Sequence, residues 1–276
     1  MSETPYFAPF GEDQLAAVLC LPEEAPRALV LLLQGGSSSR GHNNQKWTRL
    51  ARALADLGIA SVRMDYAGMG DSTGSYRFEV SVPPAEQAEA VLFSAQAALG
   101  MKQYAVVGNC IGLRTAFTLA GRVPGCLGVA AIFSRSMGPI LAPRDEGAPR
   151  PSSAPPTRPR SRANPRRLLA GAVRRLRGKK GAPSRAVMPE FARVLSSTNV
   201  LMLHAATEQW ERRLKATAHA VERDRRDAGL TIKVIRVPSR ELEKQAAVVA
   251  TVSRWMDRIL PDASAHGSAT LQQAGR

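Results

Sequence analysis

The stretch that most restricts what this chain can become is Tyr104–Gly112, YAVVGNCIG, with an apolar pattern at helical spacing continuing to Ala120. Tyr104 to Val107 is a short apolar run of strand character, and Ile111 to Ala120 reads as a helix. Only the turn Gly108-Asn109-Cys110-Ile111-Gly112 joins them. So sharp a passage from strand to helix forces its central residue into a strained backbone conformation. Small residues two places before and two places after it are then needed to avoid collision. Cys110 is that central residue. Its sulfur is expected above the sheet, at the amino terminus of the following helix, where the helix dipole favours negative charge.

The rest of the chain alternates in the same way. Leu15 to Leu21 and Ala28 to Leu33 are apolar runs separated by Pro22 and Pro26, which predicts two strands and a turn. Asn43 to Leu57 places Trp47, Leu50, Ala51, Leu54 and Leu57 at helical spacing before Gly58. A strand is predicted at Ile59 to Met64, a helix from Pro83 to Leu99 and a strand at Leu127 to Phe133. Asn199 to His204 is then a strand, Thr207 to Ala228 a helix, Leu230 to Val237 a strand and Glu241 to Leu260 a last helix. Near-continuous apolar strands alternating with helices predict an α/β fold, its mostly parallel sheet covered on both faces.

Charge separates one segment from this array. The net charge is +15, yet residues 134–193 hold 15 Arg and Lys against three acids and so carry +12 of it. The basic excess therefore belongs to an insertion at 134–190 and not to a folded face, which argues against nucleic acid as partner. Residues 143–164 are rich in Pro, Arg, Ser and Ala and read as a linker. In residues 165–180, Leu168, Leu169, Val173 and Leu176 share one face and Arg166, Arg167, Arg174, Arg175 and Arg177 the other, a basic amphipathic helix. Its expected role is to cap the sheet; attachment to an anionic membrane surface or a protein partner is the alternative. The domain reading is thus a core at 1–133 and 191–260, a cap insertion at 134–190 and a disordered tail at 261–276. Cys20, Cys110 and Cys126 are too few and too widely spaced for a disulfide framework or a zinc site. No cofactor or metal is expected. The amino terminus lacks a secretory pattern and no run is long enough to span a membrane, so a cytoplasmic location is expected.

The strand, G-N-C-I-G turn and helix resemble the nucleophile elbow of the α/β-hydrolase superfamily. Two further segments carry the resemblance: the loop QGGSSSRGH after Leu33, and ASVRMDYAGMGDSTG at Ala60–Gly74. Among superfamily members, the latter is similar to the serine-aminopeptidase-like group and to hydrolases associated with exosortase systems. A cysteine at the elbow is similar to dienelactone hydrolase. The resemblance, over residues 10–260, implies an eight-stranded sheet with Cys110 as nucleophile. It implies an oxyanion hole made by the amides of Ile111 and Gly36, with Gly35 or Ser37 as alternatives, and structural roles for Asp65, Gly68, Gly70, Ser72 and Gly74. The acid position corresponds to Glu208, with Glu211 one turn on, though an acid in the first turn of a helix also serves the dipole alone.

The pattern breaks at the histidine. Ser239, Arg240, Glu241 and Leu242 occupy the stretch where the superfamily places it, and a thiol or hydroxyl nucleophile needs a base to take and return a proton. His42, in the loop bordering the mouth of the site, ranks first as substitute and His204 second. His219 reads as a surface residue and His266 lies in the tail. Two functions follow. One is acyl hydrolysis or transfer on a small ester or thioester through Cys110, with Glu208 orienting the base. The other is a catalytically degenerate binding or scaffold protein, in which Cys110 is only a small buried thiol.

Overall fold

The computed structural model describes residues 1–35, 38–76, 83–133, 189–205, 208–224, 230–238 and 246–262. Residues 134–188 of the insertion, which include the segment read as an amphipathic helix, the tail from 263 and Gly36 all lie outside the described residues. In chain order the elements are β1 (Ser2–Phe10), β2 (Asp13–Leu21), β3 (Ala28–Leu33), α1 (Lys46–Ala55), β4 (Ile59–Met64), α2 (Ala85–Leu99) and β5 (Tyr104–Asn109). They continue with α3 (Ile111–Arg122), β6 (Cys126–Phe133), α4 (Pro189–Ser197), β7 (Asn199–His204), α5 (Glu208–Asp224), β8 (Ile232–Arg236) and α6 (Ala246–Ile259).

Eight strands form one sheet in the order β1-β2-β4-β3-β5-β6-β7-β8. Only β1 and β2 run antiparallel to their neighbours. The inner strands are buried along their whole length, as in ALVLLL of β3 and IASVRM of β4, because helices cover both sides. Helices α1 and α6 pack together on one face; α2, α3, α4 and α5 follow one another across the other. The α1–α6 face is filled by Trp47, Trp255, Leu50, Leu54, Val252 and Met256 against Val30, Leu32, Val107 and Leu201. Among the described residues, no helix is long and apolar enough to cross a membrane.

Two elements go beyond the sequence reading. Residues 2–10 form a nine-residue strand despite Pro5 and Pro9. The strand lies at the sheet edge, where a missing N–H costs no ladder bond and blunts further pairing. Helix α4, at Pro189–Ser197, was not anticipated from the charge pattern around it.

The strand order sets the location of a site. The chain winds outward from β3 through β4 toward one edge, then returns to β5 and winds through β6, β7 and β8 toward the other. Loops leaving the carboxyl ends of β3 and β5 therefore diverge and open a crevice between them.

Candidate active site

The strands at this crevice are in register, Leu33 beside Gly108. Two residues further along each chain, Gly35 and Cys110 consequently face each other across the gap. A Cβ built on Gly35 would stand 2.8 Å from the Cys110 Cβ and 3.3 Å from its Sγ. The turn between β5 and α3 needs its glycines for the same steric reason. A Cβ at Gly108 would run into the Gly112 carbonyl, and one at Gly112 into the Leu33 and Gln34 carbonyls. Helix α3 is thereby seated directly on the end of β3.

Cys110 takes φ 54° and ψ −128°, a costly backbone conformation for a residue with a side chain. Its side chain is exposed, whereas Cys20 is buried and Cys126 partly so. Burial pushes the Cys126 thiol up to about 12 and raises that of Cys20 as well, so both act as packing residues. Ile111 is the first residue of α3, and its amide has no carbonyl one turn back to bond. That amide is available to an oxyanion. The β3 loop approaches the thiol through Gly35 among the described residues.

Left-handed, non-glycine backbone is confined, among the described residues, to His42, Asn44, Gln45 and Cys110. His42 and Cys110 are the two of these at the crevice, and strain of this kind collects at functional sites. The strained loop delivers His42 to the turn, where its Nε2 lies 2.6 Å from Asn109 Nδ2. The ring is also held edge-on against Trp47, with centroids 5.2 Å apart. Burial, reinforced by the Lys46 charge, lowers the His42 pKa to about 4. The imidazole is therefore neutral at pH 7, and with Asn109 donating to Nε2 its proton sits on Nδ1.

Loop and turn are braced from β4. The Asp65 carboxylate, completely buried, accepts the Arg40 amide at 2.5 Å and the Arg40 guanidinium as well. The same guanidinium reaches Asp71 at 2.5 Å. Ser72 donates to the Asp65 carbonyl at 2.9 Å and accepts the Ala16 amide at 2.8 Å. The structural role implied for Asp65 and Ser72 is thus carried by these bonds. Beneath the elbow, the buried Tyr66 hydroxyl donates to the Gln34 carbonyl at 3.5 Å. Burial raises its pKa.

The structure thus brings Cys110, Ile111, Gly35, Asn109 and His42 together. No hydrogen bond joins the Cys110 thiol to an imidazole among the described residues. His204 ends β7, two strands from β5, at about 9–10 Å by strand spacing. It is fully buried, and neither ring nitrogen has a partner among the described residues. Burial lowers its pKa, while Glu211 opposes that shift. His219 is an exposed residue of α5 with Glu222 at 3.6 Å, and His266 lies outside the described residues. Glu208 opens α5, but its side chain is not among those described. Glu211 is engaged by Lys215 at 2.7 Å and Arg236 at 3.8 Å, partners that hold its carboxyl below the usual range.

Sequence reasoning missed Asn109 as the partner of His42 and the Arg40 brace. Asn109 had a signal, its place beside Cys110. The brace had none, because its members are 25 and 31 residues apart.

No protein-family model matches the chain, and no curated protein matches it significantly. Solved structures do. An esterase from Pyrococcus furiosus superposes with a TM-score of 0.61 at 12% identity, covering 94% of this chain and 93% of that one. A lidless α/β serine hydrolase from Xanthomonas campestris gives 0.58 at 15% identity, covering 94% and 96%. A dienelactone hydrolase from Anabaena variabilis gives 0.57 at 15% identity, covering 94% and 99%. The chain has the α/β-hydrolase fold.

Proposed function

We propose that this α/β-hydrolase-fold chain is a hydrolase that acts on small acyl esters or thioesters through Cys110. The observation carrying this reading is the exposed thiol on a strained turn, at the amino terminus of α3 and against Gly35. The sulfur adds to the acyl carbonyl carbon and the carbonyl oxygen becomes an oxyanion, which the Ile111 amide stabilises. The bond to the leaving alcohol or thiol then breaks, and that group takes up the proton lost by the sulfur. Water releases the acid from the Cys110 thioester and restores the thiol; an acceptor alcohol or amine in place of water makes the same step a transfer. His42, neutral and adjacent through Asn109, is the imidazole proposed as proton carrier, with Glu208 as the acid of the set. Gly36 is the second oxyanion donor proposed from the resemblance, Gly35 being the residue seen beside the sulfur.

An activated acyl ester should leave a mass adduct on the Cys110 peptide and a burst of leaving group, both abolished by Cys110→Ala. Failure to acylate Cys110 or to turn over any short ester or thioester would overturn the proposal.

One observation favours a second reading. His42 is committed to Asn109 and no imidazole bonds the thiol among the described residues, as expected of a degenerate site. Under that reading Cys110→Ala leaves the biological role intact, while removal of residues 165–180 destroys it. Attachment of that basic segment to a membrane would show as binding to anionic vesicles that falls as salt is added.

A further inference from the structure

Asn109 is a polar residue in a place that packing alone would give to an apolar one. It closes β5, its backbone paired with Ile132 of β6. Strand residues two apart share a face, so Asn109 follows Val107 onto the side of the sheet where Trp47 and the α1–α6 core lie. One end of its amide is engaged: Nδ2 stands 2.6 Å from His42 Nε2. The other end, Oδ1, is buried and has no hydrogen bond among the described residues. A buried acceptor left unbonded is unfavourable, and an asparagine with a purely structural task would be fixed at both ends. Here the imidazole alone fixes the amide.

The ring it meets is held on its other sides. His42 takes a positive φ and lies edge-on to Trp47, with centroids 5.2 Å apart. Lys46 of α1 is the charged group that acts on it, and the Asn43 backbone supplies a further bond. The Cys110 thiol, next in the chain to Asn109, is the titratable group on the elbow. A neutral imidazole with its proton on Nδ1 presents a lone pair at Nε2, which an N–H must meet. A charged one carries a proton there, which an oxygen must meet. An amide has both, at ends of equal size, and a half-turn exchanges them without displacing a neighbour. A carboxylate would serve only the charged ring.

We infer that Asn109 is the positioning residue of the crevice: its amide holds His42 at Nε2 through both protonation states, Nδ2 donating to the neutral ring and Oδ1 accepting from the charged one. This rests on the reading of Cys110 as nucleophile and His42 as proton carrier. As the S–H bond breaks, its electron pair forms the bond from sulfur to the acyl carbon and its proton passes to Nε2; the amide turns, and Oδ1 takes that N–H. When the alcohol or thiol departs with its bonding pair, the proton goes to it and the amide turns back. The bond that commits His42 to Asn109 in the resting site is thus what keeps the ring in place for the next proton.

The test uses the full chain, p-nitrophenyl acetate as acyl donor, and the variants Asn109→Asp, which accepts but cannot donate, and Asn109→Leu, which fills the space and does neither. Stopped flow follows the rate of Cys110 acylation against pH, and NMR follows the titration of the His42 ring. In the unmodified protein acylation should fall as the ring charges, at about pH 4. In Asn109→Asp the carboxylate favours the charged ring, so the ring titration and the acid limb of acylation should move up together by at least about one pH unit. Asn109→Leu should lower the limiting acylation rate at least about tenfold with little change in KM. An acid limb that stays in place in Asn109→Asp, or a parent-like rate in Asn109→Leu, would overturn the inference while leaving the Cys110 reading standing. No acylation of Cys110 in the unmodified protein would overturn both. Should Asn109→Leu fail to fold, Asn109→Asp decides alone: joint movement supports the inference, and an unmoved limb refutes it.

Discussion

Replacing Arg40 by alanine should loosen the loop that carries Gly35 and His42, at a cost that follows from its contacts. The Asp65 carboxylate is completely buried and accepts the Arg40 amide, the Arg40 guanidinium and, at 3.4 Å, the Asp71 amide. Arg40→Ala keeps both backbone donors and removes the guanidinium. A hydrogen bond to a charged group contributes about 1.5–3 kcal/mol, and breaking a fully buried pair costs about 3–5 kcal/mol. The Arg40 side chain is 25% exposed, so water partly replaces it and the lower part of that range applies. The second contact, to Asp71, which is 65% exposed, adds at most about 1 kcal/mol. A loss of roughly 2–3 kcal/mol results, or about 5–10 °C in melting temperature for a domain of this size. Arg40→Lys should fall between, because one ammonium cannot serve Asp65 and Asp71 together. Denaturant unfolding gives the free energies, and the rate of Cys110 alkylation reports on the loop. A variant within about 0.5 kcal/mol of the parent and with the parent's alkylation rate would refute the idea that this brace holds the crevice.

Three other changes probe separate parts of the molecule. Arg27 donates to the Leu57, Leu260 and Pro261 carbonyls and to Asp257 from the opposite end of the sheet; Arg27→Ala should cost about 2–4 kcal/mol in denaturant melts without changing Cys110 alkylation. Gly112→Ala would drive a methyl group into the backbone carbonyls of Leu33 and Gln34 and should cost more than about 3 kcal/mol, seen as a lost or lowered unfolding midpoint; a parent-like midpoint would contradict the seating of α3 on β3. The His42 pKa of about 4 lies below the unfolded value of 6.5, so the fold favours the neutral ring. That contribution is complete above pH 6.5 and is lost as pH falls toward 4. His42→Gln should therefore remove roughly 1–2 kcal/mol of the acid destabilisation over that window, the ring's residual exposure keeping it below the full value; parallel stability–pH curves for the two proteins would count against it.

The division between chain and fold follows the range of the forces. Alternation of apolar runs and helical patterns determined the α/β class, because burial on two faces demands continuous apolar strands wherever they lie. The G-N-C-I-G spacing determined the elbow, since the collision at Gly108 is with the Gly112 carbonyl four residues on, although the one at Gly112 is with the end of β3. Local reading failed at β1: Pro5 and Pro9 argue against a strand unless that strand is known to be an edge, and edge position is a property of the assembled sheet. It also left the partner of His42 open. A loop at residue 42 meets the turn at 109 only because β3 and β5 are neighbours in register, with Leu33 beside Gly108. The same adjacency put Gly35 against the sulfur. Sequence determined that a thiol would stand on a strained turn; tertiary structure decided what surrounds it, because electrostatic and hydrogen-bond partners are set by distances between strands and loops that the order of residues does not contain.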